Sequence, residues 1–143
     1  MSKSDFLETS LLGLLFNGTS IANLADNASA SPLADLYVSL HTDDPGEVGD
    51  QSTHEADYDG YERVAVPRSE VGWTVTGNQV ENTQAIIFPE AQGGSNTITH
   101  FAIGTAAGGA GSILYSGALT ASLAVSAGIE PRFQAGDLTV TEE

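Results

Sequence analysis

The sequence contains no cysteine, which excludes disulfide bridges, thiolate metal sites and cysteine nucleophiles. Cations are nearly as scarce: four Lys and Arg stand against nineteen Asp and Glu, for a formal net charge of -15. Binding to nucleic acid depends on Lys and Arg displacing counterions from phosphates, and an anionic membrane repels a field of this sign. Nucleic acid and membrane surfaces are therefore not expected partners. No apolar stretch approaches the roughly 18 residues of a membrane-spanning helix. Bulky side chains are few, with one Trp and one Met beside sixteen Gly in 143 residues. A chain of this length builds one domain around a two-layer core, and this mix suits short strands joined by many turns.

The first segment departs from that pattern. Residues 2–17 read as a helix, with Ser2 or Ser4 as its N-cap and Asp5 and Glu8 near the positive end of its dipole. Asn17 and Gly18 supply a stop signal. Phe6, Leu7, Leu11, Leu14 and Leu15 form a broad apolar face that Leu12 and Phe16 widen further. Such a helix must be covered by a sheet or by a neighbouring subunit, so these five residues are the expected partner interface. The domain organisation that follows is an N-terminal helix over 1–18 and a β-sandwich over 19–143, with 19–35 a small, polar, turn-prone connection.

Beyond residue 35 the period changes to two. Strands are expected over 36–40, 61–66, 72–76, 80–82, 85–88, 98–104, 112–119, 123–126, 131–134 and 138–141. Eight to ten short strands at this spacing predict an all-β fold, an antiparallel β-sandwich with a short N-terminal helix. Residues 105–112 (TAAGGAGS) read as a flexible hairpin tip with no side chain able to do chemistry.

Chemistry is thinly represented. Asp43, Asp44, Glu47, Asp50, Glu55, Asp57, Asp59 and Glu62 follow one another with no Lys or Arg among them. Glu55, Asp57 and Asp59, followed by Gly60, imitate the opening half of a calcium loop, where alternate carboxylates converge. The closing bidentate Glu is missing, since Val66 occupies the twelfth position. These three are the candidate calcium ligands; the rival readings are a solvated acidic loop and a docking surface for a basic partner. His41 with Asp43 or Asp44 would give a small hydrolase its histidine–carboxylate pair, but no nucleophile motif accompanies it. A structural role is expected for His41, His54 and His100 alike. The Gly93-Gly94 and Gly108-Gly109 pairs lack the Lys-Ser/Thr of a phosphate loop. Trp73 and Tyr58, near polar loops, are the aromatics that would line a sugar site. No catalytic residue and no cofactor other than calcium is expected.

Several blocks recur in an order that carries a resemblance. A leucine-rich N-terminal helix ends in Phe16-Asn17-Gly18. Leu36-Tyr37-Val38-Ser39-Leu40 then runs into Thr42-Asp43-Asp44-Pro45-Gly46, and Gly60-Tyr61-Glu62-Arg63-Val64-Ala65-Val66 follows. Later come Phe88-Pro89-Glu90-Ala91, Thr99-His100-Phe101-Ala102-Ile103, Ile113-Leu114-Tyr115-Ser116-Gly117-Ala118-Leu119-Thr120, and Phe133-Gln134-Ala135-Gly136-Asp137-Leu138-Thr139-Val140-Thr141. This sequence resembles the small virion structural proteins of tailed bacteriophages, often labelled tail fibre or head decoration proteins. Residues 67–82 depart from the family pattern, and the chain is more acidic than that pattern.

The resemblance implies a non-enzymatic protein made in the host cytoplasm and carried in the virion. Its foremost expectation is a capsid decoration (cement) protein bound to the major capsid protein on the head. The alternative is a tail fibre or tail adaptor component involved in host adsorption. Either implies other virion proteins as partners and a homo-oligomer, with a trimer one arrangement.

Overall fold

The structure is a computed structural model and describes residues 3–21 and 32–143. Most of the connection expected over 19–35 lies outside the described residues. The chain forms two compact units: residues 1–35, 66–86 and 133–143 make the first, and 36–65 and 87–132 the second.

The first unit holds helix α1 (Asp5–Asn17) and a three-stranded antiparallel sheet of β3 (Trp73–Thr76), β4 (Gln79–Asn82) and β9 (Thr139–Thr141), in that order. Ser4 caps the helix, its hydroxyl accepting the Leu7 N–H at 3.3 Å. Gly18 ends it in the left-handed region at φ 66°, where a side chain would be strained. The last turn contains no basic residue, and Arg68 supplies one from elsewhere in the chain. Its guanidinium donates to Leu15 O at 2.7 Å and Leu14 O at 2.5 Å, satisfying carbonyls that a helix end leaves open.

The helix lies against β3 and β4, and the face it buries is not the expected one. Glu8, Leu12 and Phe16, four residues apart, are its buried positions. Phe16 meets Trp73 edge-on with ring centroids 4.9 Å apart. Leu11, Leu14 and Leu15 are half-buried, while Phe6 is 66% and Leu7 39% exposed. In the same unit buried Asn82 donates to the carbonyls of Gln84 and Gln134 and accepts from Leu138 N–H, pinning the turn that precedes β9.

The second unit is built on β1 (Asp35–His41), β6 (Ser95–Gly104) and β7 (Ile113–Ser126), with β2 (Val64–Pro67) completing a sheet of order β2-β1-β6-β7. β1 and β6 are antiparallel, with Tyr37 opposite Gly104 and His41 opposite His100. Leu36, Val38, Leu40, Ile98, Ala102 and Ile103 are at most 2% exposed and form the core of this unit with Tyr58, Phe88 and Val125. The short strands β5 (Ile86–Ile87) and β8 (Arg132–Phe133) pair with each other.

Among the described residues β1–β6, β3–β4, β4–β9 and β6–β7 pair antiparallel, so the class is all-β with one short N-terminal helix, as expected. Several strand boundaries differ, among them the start of β6 at Ser95 and not at residue 98. The strand expected over 61–66 starts only at Val64, because residues 58–61 form a turn in which Tyr61 N–H reaches Tyr58 O and Gly60 sits at φ 91°. The strands expected over 112–119 and 123–126 are one strand, β7. Its register against β6 shifts between Ile98 and His100, which absorbs the residues expected to separate them.

Candidate functional site

The acidic segment leaves β1 at His41 and returns beside it. Thr42 N–H donates to His54 O at 2.8 Å and Ala56 N–H to Leu40 O at 2.9 Å, so residues 43–53 form a closed excursion. Its carboxylates help to build the turns. Asp43 accepts Asp44 N–H, Asp44 accepts Gly46 N–H, and Asp50 accepts both the N–H and the hydroxyl of Ser52. The Ser52 bonds, its hydroxyl's first, hold the Asp50 carboxyl below its ordinary pKa.

Glu55 has a different task. Arg63 grips it with Nε 2.6 Å from Oε1 and Nη2 2.8 Å from Oε2, and the Tyr61 hydroxyl donates to Oε1 at 2.9 Å. That hydroxyl also accepts Leu40 N–H. Burial above all holds the Tyr61 phenol protonated, far above its ordinary range. Arg63 then reaches across to the glycine-rich tip, donating to Ala106 O at 2.9 Å and Gly109 O at 2.5 Å.

Gln51 makes a second link to the tip. It is fully buried; its amide donates to Tyr37 O and accepts Ala106 N–H, while its backbone N–H donates to Ala110 O. A Cβ on Gly104 would fall 2.1 Å from its Cδ, so this glycine is required by the close approach of Gln51. The tip expected to be flexible is therefore tied at Ala106, Gly109 and Ala110. Between it and the acidic segment opens a cavity of about 390 Å³, lined by Glu55, Tyr61, Glu62, Arg63, Ala107, Gly108 and Gly109. Of the charged residues that line it, Glu55 and Arg63 neutralise each other, and no hydroxyl–imidazole pair lines it. It can accept a polar group by hydrogen bonding.

The three calcium candidates are placed separately. Glu55 is held by Arg63, Asp57 accepts a 2.8 Å bond from Asn96 Nδ2, and exposed Asp59 pairs with Gly93 through its backbone. Among the described residues no group of three or more His, Asp or Glu side chains is arranged to hold a metal ion.

The histidine–carboxylate pair is corrected by the geometry. His41 is fully buried, with Nδ1 2.8 Å from Thr53 O and Nε2 2.9 Å from Ser39 Oγ, and it bonds to neither Asp43 nor Asp44. The Thr53 carbonyl can only accept, so Nδ1 carries the proton and Nε2 accepts from Ser39. Ser39 is equally sealed, which leaves a substrate no route to this pair. His100 is half-buried with Nδ1 2.8 Å from Thr99 Oγ1, and exposed His54 adopts φ 55°. The sugar-site reading also falls, because Trp73 is fully buried and Tyr58 is 2% exposed. Neither ring offers a face to a ligand.

Sequence reasoning passed over Arg63 and Gln51. For Arg63 a signal existed: a single cation directly after eight carboxylates is a natural buried partner for one of them. Gln51 had none.

A family model described as podophage GP4 fiber I protein gp80 matches residues 2–141. No curated protein matches the chain significantly.

Proposed function

This chain belongs to the podophage GP4 fiber I protein gp80 family, and on that premise we propose that it is a structural subunit of a podophage tail fibre that contributes to host adsorption. The observation that carries the proposal is a match over nearly the entire chain to a family of phage fibre proteins, whose place is the virion. Of the two virion placements expected from sequence, the family favours the fibre over the head decoration protein. Other virion proteins are its partners.

The surface fits a binding role. Exposed Glu62 lines a cavity whose other charged residues, Glu55 and Arg63, are paired with each other. The exposed side chains of Phe6 and Leu7, at the start of α1, are the apolar positions proposed to contact another virion protein. Leu12 and Phe16 are core residues, so deleting the helix would unfold its unit; Phe6→Ser with Leu7→Ser addresses the contact without touching the core. Reduced incorporation of that variant into particles is the expected result.

The placement is tested by counting copies of this chain in purified virions by quantitative mass spectrometry and by imaging particles labelled with an antibody against it. A small number of copies at the tail is expected. Hundreds of copies over the head would overturn the fibre proposal in favour of decoration.

A further inference from the structure

Helix α1 buries a carboxylate. Glu8 is 9% exposed and is the only acidic residue among the buried side chains of the described residues. The helix does not satisfy it: the Glu8 N–H goes to Ser4 O, and the Ser4 hydroxyl takes the Leu7 N–H. The Glu8 carboxylate has no hydrogen-bond or ion-pair partner among the described residues. A buried charge is costly unless it is paired or holds a metal ion.

The chain has no side-chain cation left to offer. Its four Lys and Arg are all committed elsewhere. Lys3, the nearest in sequence, bonds to Glu142 Oε2 at 2.9 Å and to Glu143 O at 2.6 Å. Arg63 holds Glu55, Arg68 completes the far end of α1, and Arg132 pairs with Glu130. The three histidines belong to the second unit, whereas Glu8 belongs to the first. A counter-charge for Glu8 therefore has to come from solution.

Glu8 lines a cavity of about 270 Å³ with Asp5, Thr9, Gly77 and Asn78. The first three come from α1, the other two from the turn between β3 and β4, where Gly77 adopts φ 61°. Each of the five can contribute an oxygen: two carboxylates, a hydroxyl, a backbone carbonyl and a side-chain amide. Asn78 spends its Nδ2 on Glu142 O at 2.9 Å, which leaves Oδ1 as its acceptor. Asp5, like Glu8, has no side-chain partner among the described residues. Oxygen donors without nitrogen or sulfur select a hard cation. A mixture of carboxylate and neutral oxygens suits calcium, which takes roughly six to eight oxygens in flexible geometry and completes its shell with water.

We propose that Asp5, Glu8, Thr9, Gly77 and Asn78 form a calcium site that ties the first turn of α1 to the β3–β4 hairpin. The ion supplies the counter-charge that the chain itself withholds from Glu8. With two carboxylates among its donors, the site belongs at the weak end of calcium affinities, with a Kd of about 0.1–1 mM. It uses none of residues 43–62 and does not depend on the virion placement.

The test is a calcium titration of the intact, isotope-labelled chain, read residue by residue from amide chemical shifts. Salt at about 0.15 M suppresses diffuse attraction of the ion to the acidic surface. Saturable shifts at residues 5–9 and 77–78 are expected. Glu8→Gln should keep the circular dichroism spectrum and weaken binding by about tenfold or more. Glu47→Gln with Glu62→Gln should leave the shifts at 5–9 and 77–78 unchanged. Magnesium, which gives up its waters reluctantly, should bind the same residues more weakly; equal or tighter binding would overturn the assignment to calcium. The wild-type shifts decide the matter if Glu8→Gln fails to fold. No shift at 5–9 and 77–78 up to about 10 mM calcium, shifts confined to 43–62, or equal binding by folded Glu8→Gln would overturn the site. None of these results bears on the fibre proposal, which the copy count decides.

Discussion

Residues 43–62 and residues 91–129 belong to the same compact unit and are built on opposite plans. The first carries eight carboxylates and owes its shape to side chains: aspartates that accept turn N–H groups, and Glu55 clasped by Arg63. The second carries no charged residue and owes its shape to the β6–β7 ladder. Net charge is thus a poor summary of this surface, which is divided into a strongly acidic region and an uncharged one. Arg63 and Gln51 are the links between the two plans, each reaching from the acidic side to the backbone of the tip.

The links are the most sensitive place to break the comparison. Arg63→Met would leave the largely buried Glu55 carboxylate unmatched and free two tip carbonyls, with an expected loss of about 3 kcal/mol in urea unfolding. Adding Glu55→Gln should recover part of it, because the orphaned charge is then gone. Gly104→Val places a side chain into Gln51 and should cost about 2 kcal/mol by the same measurement.

The third test is by pH. Burial above all lowers the His41 pKa from 6.5, with the charges of Arg63 and His100 adding to it and the Thr53 bond and Glu55 opposing it. The folded-state value lies below the unfolded one, so the unfolded chain binds the extra proton. This contribution to stability is complete above pH 6.5 and declines as pH falls toward the folded-state value, by at most about 1.4 kcal/mol per unit. His41→Gln should flatten the profile of unfolding free energy between pH 6.5 and 5.5, before the carboxylates titrate. The smallest effect is expected for Glu47→Gln with Glu62→Gln, two exposed positions, at within about 0.5 kcal/mol of the wild type. Any gain in melting temperature should vanish in high salt.

How far the sequence could be read depended on whether local pattern decided the outcome. The strand at 36–40 and the turn signals at Gly46 and Gly136 were legible, since alternation and glycine placement are local properties. The buried face of α1 was not. Leu11, Leu12, Leu14, Leu15 and Phe16 are apolar nearly all round the helix, so periodicity could not choose the Glu8–Leu12–Phe16 stripe; Trp73 on β3 chose it. The continuity of β7 was hidden because Ala121 and Ser122 look like a break, and only pairing with β6 shows that they are not. At the site, the acidic segment was evident while its structural content was not. A carboxylate in a turn and one in a buried pair have the same letter, and the partners of Glu55 and Gln51 are set by contacts distant in sequence.

Arg68 has a consequence for the order of assembly. Helix α1 is synthesised before the guanidinium that completes its last turn, which lies 53 and 54 residues later in the chain. At roughly 5–20 residues per second, translation separates them by about 3–10 s. The sheet beneath the helix waits longer still, because β4 acquires its second neighbour only when residues 139–141 are made. The nascent helix therefore keeps Leu12 and Phe16 uncovered at least until β3 and β4 have been made. Chaperone demand should concentrate on the youngest chains, which ribosome-bound nascent chains of graded length would reveal.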